Sequence, residues 1–270
     1  MQRNRIRILF LGDIVSSIGR RVVKYYLKNY KKSKEIDFVI ANGENATHGK
    51  GLSLSHYQEL ISSGVDCLTS GNHFFENRDC FSYSMDNYIR PLNFDKEAPL
   101  RGSKMFYVQE SVPVRVSNVL GRVFLNGYQT SPFYDMDDIL KDEEKCIHIV
   151  DFHAEATAEK RALGEYLDSR VTAVIGTHTH VQTNDAKLLN KGTFFITDVG
   201  MNGEYDSILG ARKEDSMKKT INLMPRRIEA NSSGDGLLGG VILDVDTLSF
   251  KVISFEVLNQ VISEKDLSSY

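Results

Sequence analysis

Two features of the sequence predict an α/β protein whose central mixed sheets are flanked by helices. In the first half, short apolar runs alternate with amphipathic stretches of helical period, the pattern of strand–loop–helix units on a mainly parallel sheet. In the middle and again at the end, short strands follow one another without intervening helices, which adds antiparallel pairs.

The elements follow in order. Residues 6–11 form a first strand that runs into Gly12-Asp13. Ile18, Val22, Val23, Tyr26, Leu27 and Tyr30 give residues 18–31 the rhythm of a helix packed on a sheet. A strand at 36–41 leads to a loop at 42–51 and a helix that Ser53 or Ser55 can cap and Gly64 can end. A strand at 65–69, a loop at 70–77 and a short helix reaching Asp86 complete three units. Strands are then expected at 105–108, 112–119 and 122–126, with turns near Gly102 and Gly121. Residues 128–138, with Pro132 and clustered aromatics, read as an irregular loop: either a lid or rim, or ordinary surface. A strand at 146–152, a helix at 154–168 and strands at 171–175 and 193–197 restore the alternation. A polar, glycine-rich stretch at 229–240 precedes a last hairpin of 237–245 with 249–257. With no internal repeat and no low-complexity linker, residues 1–270 are expected to form one domain, with a small cap or rim segment around 90–140.

Composition narrows the function classes. The chain has 270 residues, 41% of them hydrophobic, enough for a full core. Its 33 basic and 36 acidic residues are interspersed and sum to −3. No basic stripe suits duplex nucleic acid, although a small nucleotide would need none. No apolar run approaches the roughly 18–20 residues of a membrane span. The basic first residues precede an apolar run too short for a signal-peptide core. Cys67, Cys80 and Cys146 show no paired spacing, which fits buried thiols in a reducing compartment and a cytoplasmic location.

The chemistry sits at strand ends. Apolar runs at 6–11, 36–41, 66–69 (the weakest), 147–150 and 171–175 precede, in turn, Asp13, Glu44-Asn45, Asn72, His153 and the pair His178 and His180. Open α/β sheets bind ligands at that edge. Two carboxylates, two amides and three imidazoles suit a pair of divalent ions, Mn²⁺, Fe²⁺ or Zn²⁺, better than a lone structural zinc. Singly, each has a plainer reading. Asp13 could cap a helix, Asn42-Gly-Glu44-Asn45 and Asn72 could be turns, and His153 could be a core histidine. His178 and His180 would face opposite sides of a strand, but past a strand end both can turn inward. Seven such residues at strand termini together point to a metal site.

The ordered blocks Gly-Asp13, Gly-Glu44-Asn45, Gly-Asn72-His73 and Gly-Thr-His178-Thr-His180 resemble those of calcineurin-like metallophosphoesterases. Asn42-Gly-Glu-Asn-Ala46, His48-Gly-Lys-Gly51, Asp151-Phe-His-Ala-Glu-Ala156, Gly176-Thr-His-Thr-His-Val-Gln-Thr183 and Thr197-Asp-Val-Gly-Met201 resemble, more narrowly, the bacterial YmdB-type family, from Ile6 to about Val257. The resemblance implies a layered αββα sandwich and a dimetal phosphodiesterase acting on cyclic nucleotides, 2′,3′ or 3′,5′. It implies that Asp13, Glu44, Asn45 and His180 hold one ion and Asn72, His153 and His178 the other, with Glu44 shared. His73 would protonate the leaving oxygen, or else orient its neighbours. Two departures stand out. Asp13-Ile-Val15 lacks the imidazole of the wider superfamily's first block, a place Asn45 takes in the YmdB group. Serines also stand at 16 and 17, where that family commonly has a glycine at one of the two.

Other polar residues read less sharply. Arg20, Lys50 and Gln182 are expected at the solvated surface more than on substrate. His48, His56 and His148 are not expected to be ligands. Asp151 and Asp198 are expected to orient imidazoles, and Glu155 and Glu159 to support the first turns of their helix. The leading expectation is a metal-dependent hydrolase of a small nucleotide phosphodiester. A phosphomonoesterase and a slow regulatory nucleotide-binding protein are the alternatives, and homo-oligomerisation is left open. Retention of the seven residues and His73 argues against a pure binder, which would not need to activate water.

Overall fold

The computed structural model describes residues 4–82, 84–127, 129–141, 144–223 and 229–270. β1 (Arg5–Leu11) and a short β2 (Asp13–Ile14) lead into α1 (Ser16–Tyr30). β3 (Phe38–Asn42) leads into α2 (Leu54–Ser62), and β4 (Cys67–Thr69) into two 3₁₀ turns, Phe74–Glu76 and Arg78–Phe81, and then β5 (Tyr88–Ile89). β6 (Ser103–Val108) and β7 (Val112–Leu120) form a hairpin, followed by α3 (Pro132–Lys141), β8 (Ile147–His153), α4 (Thr157–Tyr166) and β9 (Ala173–Thr177). β10 (Lys187–Leu188), β11 (Phe194–Ile196), β12 (Met201–Glu204) and α5 (Lys213–Asn222) come next. The chain closes with the long hairpin β13 (Gly236–Asp246) and β14 (Val252–Ile262), and α6 (Glu264–Leu267).

These strands make two mixed sheets. The first runs β2-β12-β13-β1-β3-β4-β5, with β14 also on β13, and is parallel from β1 to β5. The second runs β10-β11-β9-β8-β7-β6, parallel from β11 to β7. Period-two alternation in β1 assigns its two faces. Ile6, Ile8 and Phe10 pack with Val114, Val116, Ile147 and Phe194 of the second sheet, while Leu9 and Leu11 face Ile18, Val22 and Tyr26 of α1. The outer face of the second sheet, through Val150, Phe152 and Val174, packs on Met136 of α3 and Leu163 of α4. Helices therefore flank a pair of face-packed sheets, and the C-terminal ends of β3, β4, β8 and β9 come out side by side.

The structure corrects several local expectations. Residues 122–126 form no strand. The Arg122 and Val123 amides donate to the Glu159 carboxylate, which draws the chain off the sheet after Leu120. Most of the expected loop at 128–138 is helical, while Tyr128 lies outside the described residues. Pro132 occupies the first position of α3, where its missing N–H costs nothing, and Phe133 packs edge-on against Tyr166. The expected helix before Asp86 is the pair of 3₁₀ turns. Ser53, not Ser55, caps α2 by accepting from the His56 amide at 3.3 Å. Cys67 and Cys80 are buried and Cys146 half-buried, and none of the three is in a disulfide. Among the described residues, no helix is long and apolar enough to cross a membrane.

Candidate metal centre

The strand ends bring side chains to one point. His153, the last residue of β8, is fully buried. Its Nε2 lies 3.0 Å from Glu44 Oε1, 3.1 Å from Asn72 Oδ1 and 3.0 Å from His178 Nδ1. An imidazole nitrogen carries at most one proton, so that proton cannot satisfy three acceptors around it. Donor atoms converging in this way could hold a cation, and those of Glu44, His153 and His178 lie within 4.8 Å of one another. Gly71 makes the approach possible, since a Cβ there would stand 2.3 Å from His153 Cδ2 and 2.4 Å from Glu44 Oε2.

Asp13 borders this group. Its Oδ1 lies 3.9 Å from His153 Nδ1 and 3.8 Å from His180 Nε2, and its Oδ2 accepts from the His178 amide at 3.1 Å. Among the described residues, buried Asp13 Oδ1 and buried Asn45 Oδ1 have no hydrogen-bond donor. Asn45 spends its Nδ2 on Gly49 O at 3.0 Å. Orphaned buried oxygens of this kind are costly unless something electropositive meets them, so the donor set fits divalent ions. β9 ends at Thr177, and His178 and His180 adopt φ of 101° and 64°. Left-handed backbone at both residues replaces the strand alternation that would have separated them.

The other imidazole nitrogens are engaged away from the cluster, so each ring turns one nitrogen inward. His153 Nδ1 donates to Thr177 Oγ1 at 2.9 Å, and Thr177 in turn donates to Asp151 at 2.7 Å. His178 Nε2 faces Glu155 Oε2 at 3.0 Å. His180 Nδ1 donates to Leu209 O at 2.9 Å. Such contacts fix tautomer and ring orientation in metal sites. His73 holds its backbone N–H on Glu44 Oε2 at 3.0 Å, and its ring lies 3.7 Å from Glu76.

The electrostatics follow from burial among charges. Burial pushes the Glu44 carboxyl up, but the charge and hydrogen bond of His153 outweigh it and hold it down to about 2. Burial pushes His153 down, and Glu44, Asp13 and Asp151 more than reverse this, raising it to about 9. Burial, reinforced by the His153 charge, lowers His178 to about 3. Burial also raises Asp13, against the pull of His180 and His153.

Of the seven expected ligands, Glu44, Asn72, His153 and His178 meet directly, and Asp13 and His180 adjoin them. Asn45 stands next to Glu44 with its oxygen unmet. Among the described residues Asp198 bonds no imidazole ring directly; it pairs with Lys160 and accepts from the Thr179 amide. Arg20 is tied to Glu59 and Ala46 O, and Gln182 to Val199 O and Leu258 O, so both brace the scaffold. Lys50 is mostly exposed, 3.8 Å from Glu76. The roles of Asn42, which donates to Asp151 Oδ2 at 3.1 Å and accepts from the Glu44 amide at 3.1 Å, and of Thr177, and the direct contact of Glu155 with His178, have no counterpart in the sequence reading. Thr177 sits inside the Gly-Thr-His-Thr-His block, which was its one available signal.

A cavity of about 620 Å³ opens beside His180, lined in part by His48, Lys50, Leu209, Lys219 and Glu229. A smaller one, about 320 Å³, also reaches His180, between Gln182, Met201 and Tyr205. Another, about 490 Å³, is bordered by Cys146 and Arg170, before the start of β8 and β9.

Comparison with known proteins bears on this site. A family model described as YmdB-like protein matches residues 9–258. The chain is 43% identical over 256 residues to a 2′,3′-cyclic-nucleotide 2′-phosphodiesterase of Bacillus subtilis (strain 168), covering 93% of this chain and 96% of that protein. It is similar to the crystal structure of a novel phosphatase from Mycoplasma pneumoniae, with a TM-score of 0.90, 36% identity and coverage of 98% and 97%. A hypothetical protein from Thermus thermophilus superposes with a TM-score of 0.89 at 35% identity, covering 95% of this chain and 100% of that one.

Proposed function

The chain belongs to the YmdB-like protein family, and on that premise we propose that it is a phosphodiesterase of small cyclic nucleotides that works with two divalent ions. Its activity is hydrolysis of a phosphoric ester, as in its relatives. One observation carries the metal dependence: Glu44, Asn72 and His178 each present a donor atom within 3.1 Å of His153 Nε2.

In this reading Asp13, Glu44, Asn45 and His180 hold one ion, Asn72, His153 and His178 hold the other, and Glu44 serves both. Bound there, two divalent ions supply a clamp on the phosphoryl oxygens and a water made nucleophilic at neutral pH. The protein contributes the rest. Thr177, Glu155 and Leu209 O aim the three imidazoles. Amides rather than carboxylates at Asn45 and Asn72 keep the site's charge positive toward a phosphate. His73, fixed to Glu44 through its backbone, donates a proton to the departing ribose oxygen, a task suited to an imidazole near neutral pH.

We read the two helix-flanked sheets as a calcineurin-like metallophosphoesterase architecture, with residues 1–270 taken as one domain and the segment around 90–140 as a small cap or rim. Three cysteines outside any disulfide agree with a cytoplasmic protein. Manganese, iron and zinc all suit the donors. A phosphomonoesterase is the second reading, favoured by the Mycoplasma pneumoniae phosphatase. Turnover of 2′,3′- and 3′,5′-cyclic nucleotides, a nitrophenyl diester and a nitrophenyl monoester, with and without Mn²⁺, separates the readings. Mn²⁺-dependent diester cleavage is expected, and monoester cleavage alone would overturn it.

A further inference from the structure

Lys160 and Asp198 are both fully buried, and Lys160 Nζ sits 2.7 Å from Asp198 Oδ2. Two charges removed from water in this way are weak evidence for stability, because desolvation offsets most of their attraction. What the pair holds explains its presence better. Lys160, on the inner face of α4, also donates to Thr177 O at 2.7 Å. Asp198 Oδ2 accepts from Thr179 N at 3.0 Å, and its Oδ1 from Gly200 N at 2.9 Å. Thr177 O belongs to the peptide before His178, and Thr179 N to the peptide after it. Both peptide planes of His178 are therefore gripped by one ion pair, and the φ of 101° lies between them.

The grip is built into the surrounding backbone. Val199 N donates to Gly176 O at 2.9 Å, and Thr183 N to Asp198 O at 3.0 Å, so the 197–200 segment runs along the histidine loop. A Cβ at Gly176 would meet Thr197 O at 1.7 Å and the Lys160 stem at 3.2 Å. Only lysine among the side chains offers a compact cation with three donors and no acceptor, and here it serves a carbonyl and a carboxylate together.

We propose that the Lys160–Asp198 pair is a positioning device for the metal centre, fixing the left-handed backbone at His178 through which the loop carrying His178 and His180 turns toward the site. The inference rests on reading those histidines as ligands. Neither Lys160 nor Asp198 touches the converging donor atoms, so both act through the loop.

The test compares the full-length wild type with the neutral double variant K160M/D198N, which removes both charges and strands neither. Mn²⁺ affinity is measured by calorimetric titration, cooperative unfolding after chelation, and kcat separately from KM on a phosphodiester. The double variant is expected to unfold cooperatively yet bind Mn²⁺ about 10–100-fold more weakly, the range seen when groups orienting metal ligands are lost, with kcat falling more than KM changes. A folded double variant with wild-type Mn²⁺ affinity overturns the proposal. A second measurement needs no variant: in chelated wild type the Thr179 amide should already exchange slowly with solvent. Rapid exchange there would show a loop ordered by metal rather than by the pair, and would overturn it whether or not the variant folds. Wild type that binds no Mn²⁺ would instead remove the ligand reading itself, and the inference with it.

Discussion

Replacing Glu44 with Gln keeps the side chain's shape and removes one charge from the centre of the cluster. Glu44 is 1% exposed and touches His153 Nε2 at 3.0 Å, so little solvent screens the change. Burial raises its carboxyl, yet His153 holds it at about 2 against an ordinary 4.5. At about 1.4 kcal/mol for each tenfold in acidity, the metal-free fold draws on the order of 3 kcal/mol from this charge. The sign follows from the direction. A lowered carboxyl stabilises above its unfolded value of 4.5 and stops doing so as pH falls through about 2. His153, raised from 6.5 to about 9, stabilises below 6.5 and stops doing so as pH rises through about 9. Urea unfolding of chelated wild type and Glu44→Gln should therefore differ by about 3 kcal/mol near pH 5.5 and converge toward about pH 10. With Mn²⁺ restored, the variant should fall below about a tenth of wild-type turnover, at least 1.4 kcal/mol of transition-state stabilisation. A stability gap independent of pH, or activity above that tenth, would refute the reasoning.

Further outcomes follow from the same geometry. His73→Ala should lose about 10²–10⁴-fold on a cyclic nucleotide, whose alkoxide needs a proton, and much less on a nitrophenyl diester, with metal content unchanged; equal losses on both substrates would remove the acid role. Mn²⁺ binding should tighten by roughly tenfold per pH unit between neutrality and about pH 9, because the ion must displace the proton His153 holds up to about 9; a flat profile in calorimetric titration would contradict this. Ser16 has φ of 56° and a buried hydroxyl with no hydrogen-bond partner among the described residues. Ser16→Gly should therefore raise stability by up to about 1 kcal/mol in urea unfolding, and a loss of that size would show that the hydroxyl is needed.

The candidate ligands were legible because each follows an apolar run, and strand ends of a parallel sheet face one edge. Asp13, Glu44, Asn72, His153 and His178 required only that rule. The left-handed turns at His178 and His180 were anticipated as inward curling, but the groups that enforce them were not. Lys160 reads in sequence as one more charge on an amphipathic helix, and only packing shows it pointing inward. Glu155 looked like a helix-start carboxylate, and its contact with His178 depends on how α4 meets β9. Pro132 misled because proline marks loops and also suits the first position of a helix. Residues 122–126 carry strand-forming composition, but Glu159, distant in sequence, captures their amides. Ser16 and Ser17 together stand where the family commonly has a glycine at one of the two, and the left-handed backbone at Ser16 shows which of them carries a physical cost.

The central claim is that two ions held by this cluster cleave a cyclic nucleotide. Stripped protein titrated with Mn²⁺ while 2′,3′-cyclic nucleotide hydrolysis is followed tests it most directly. Turnover should be near zero without metal, remain low through the first equivalent per chain and rise to a plateau at the second. Full activity in the stripped protein, or a plateau at one equivalent, would contradict the account.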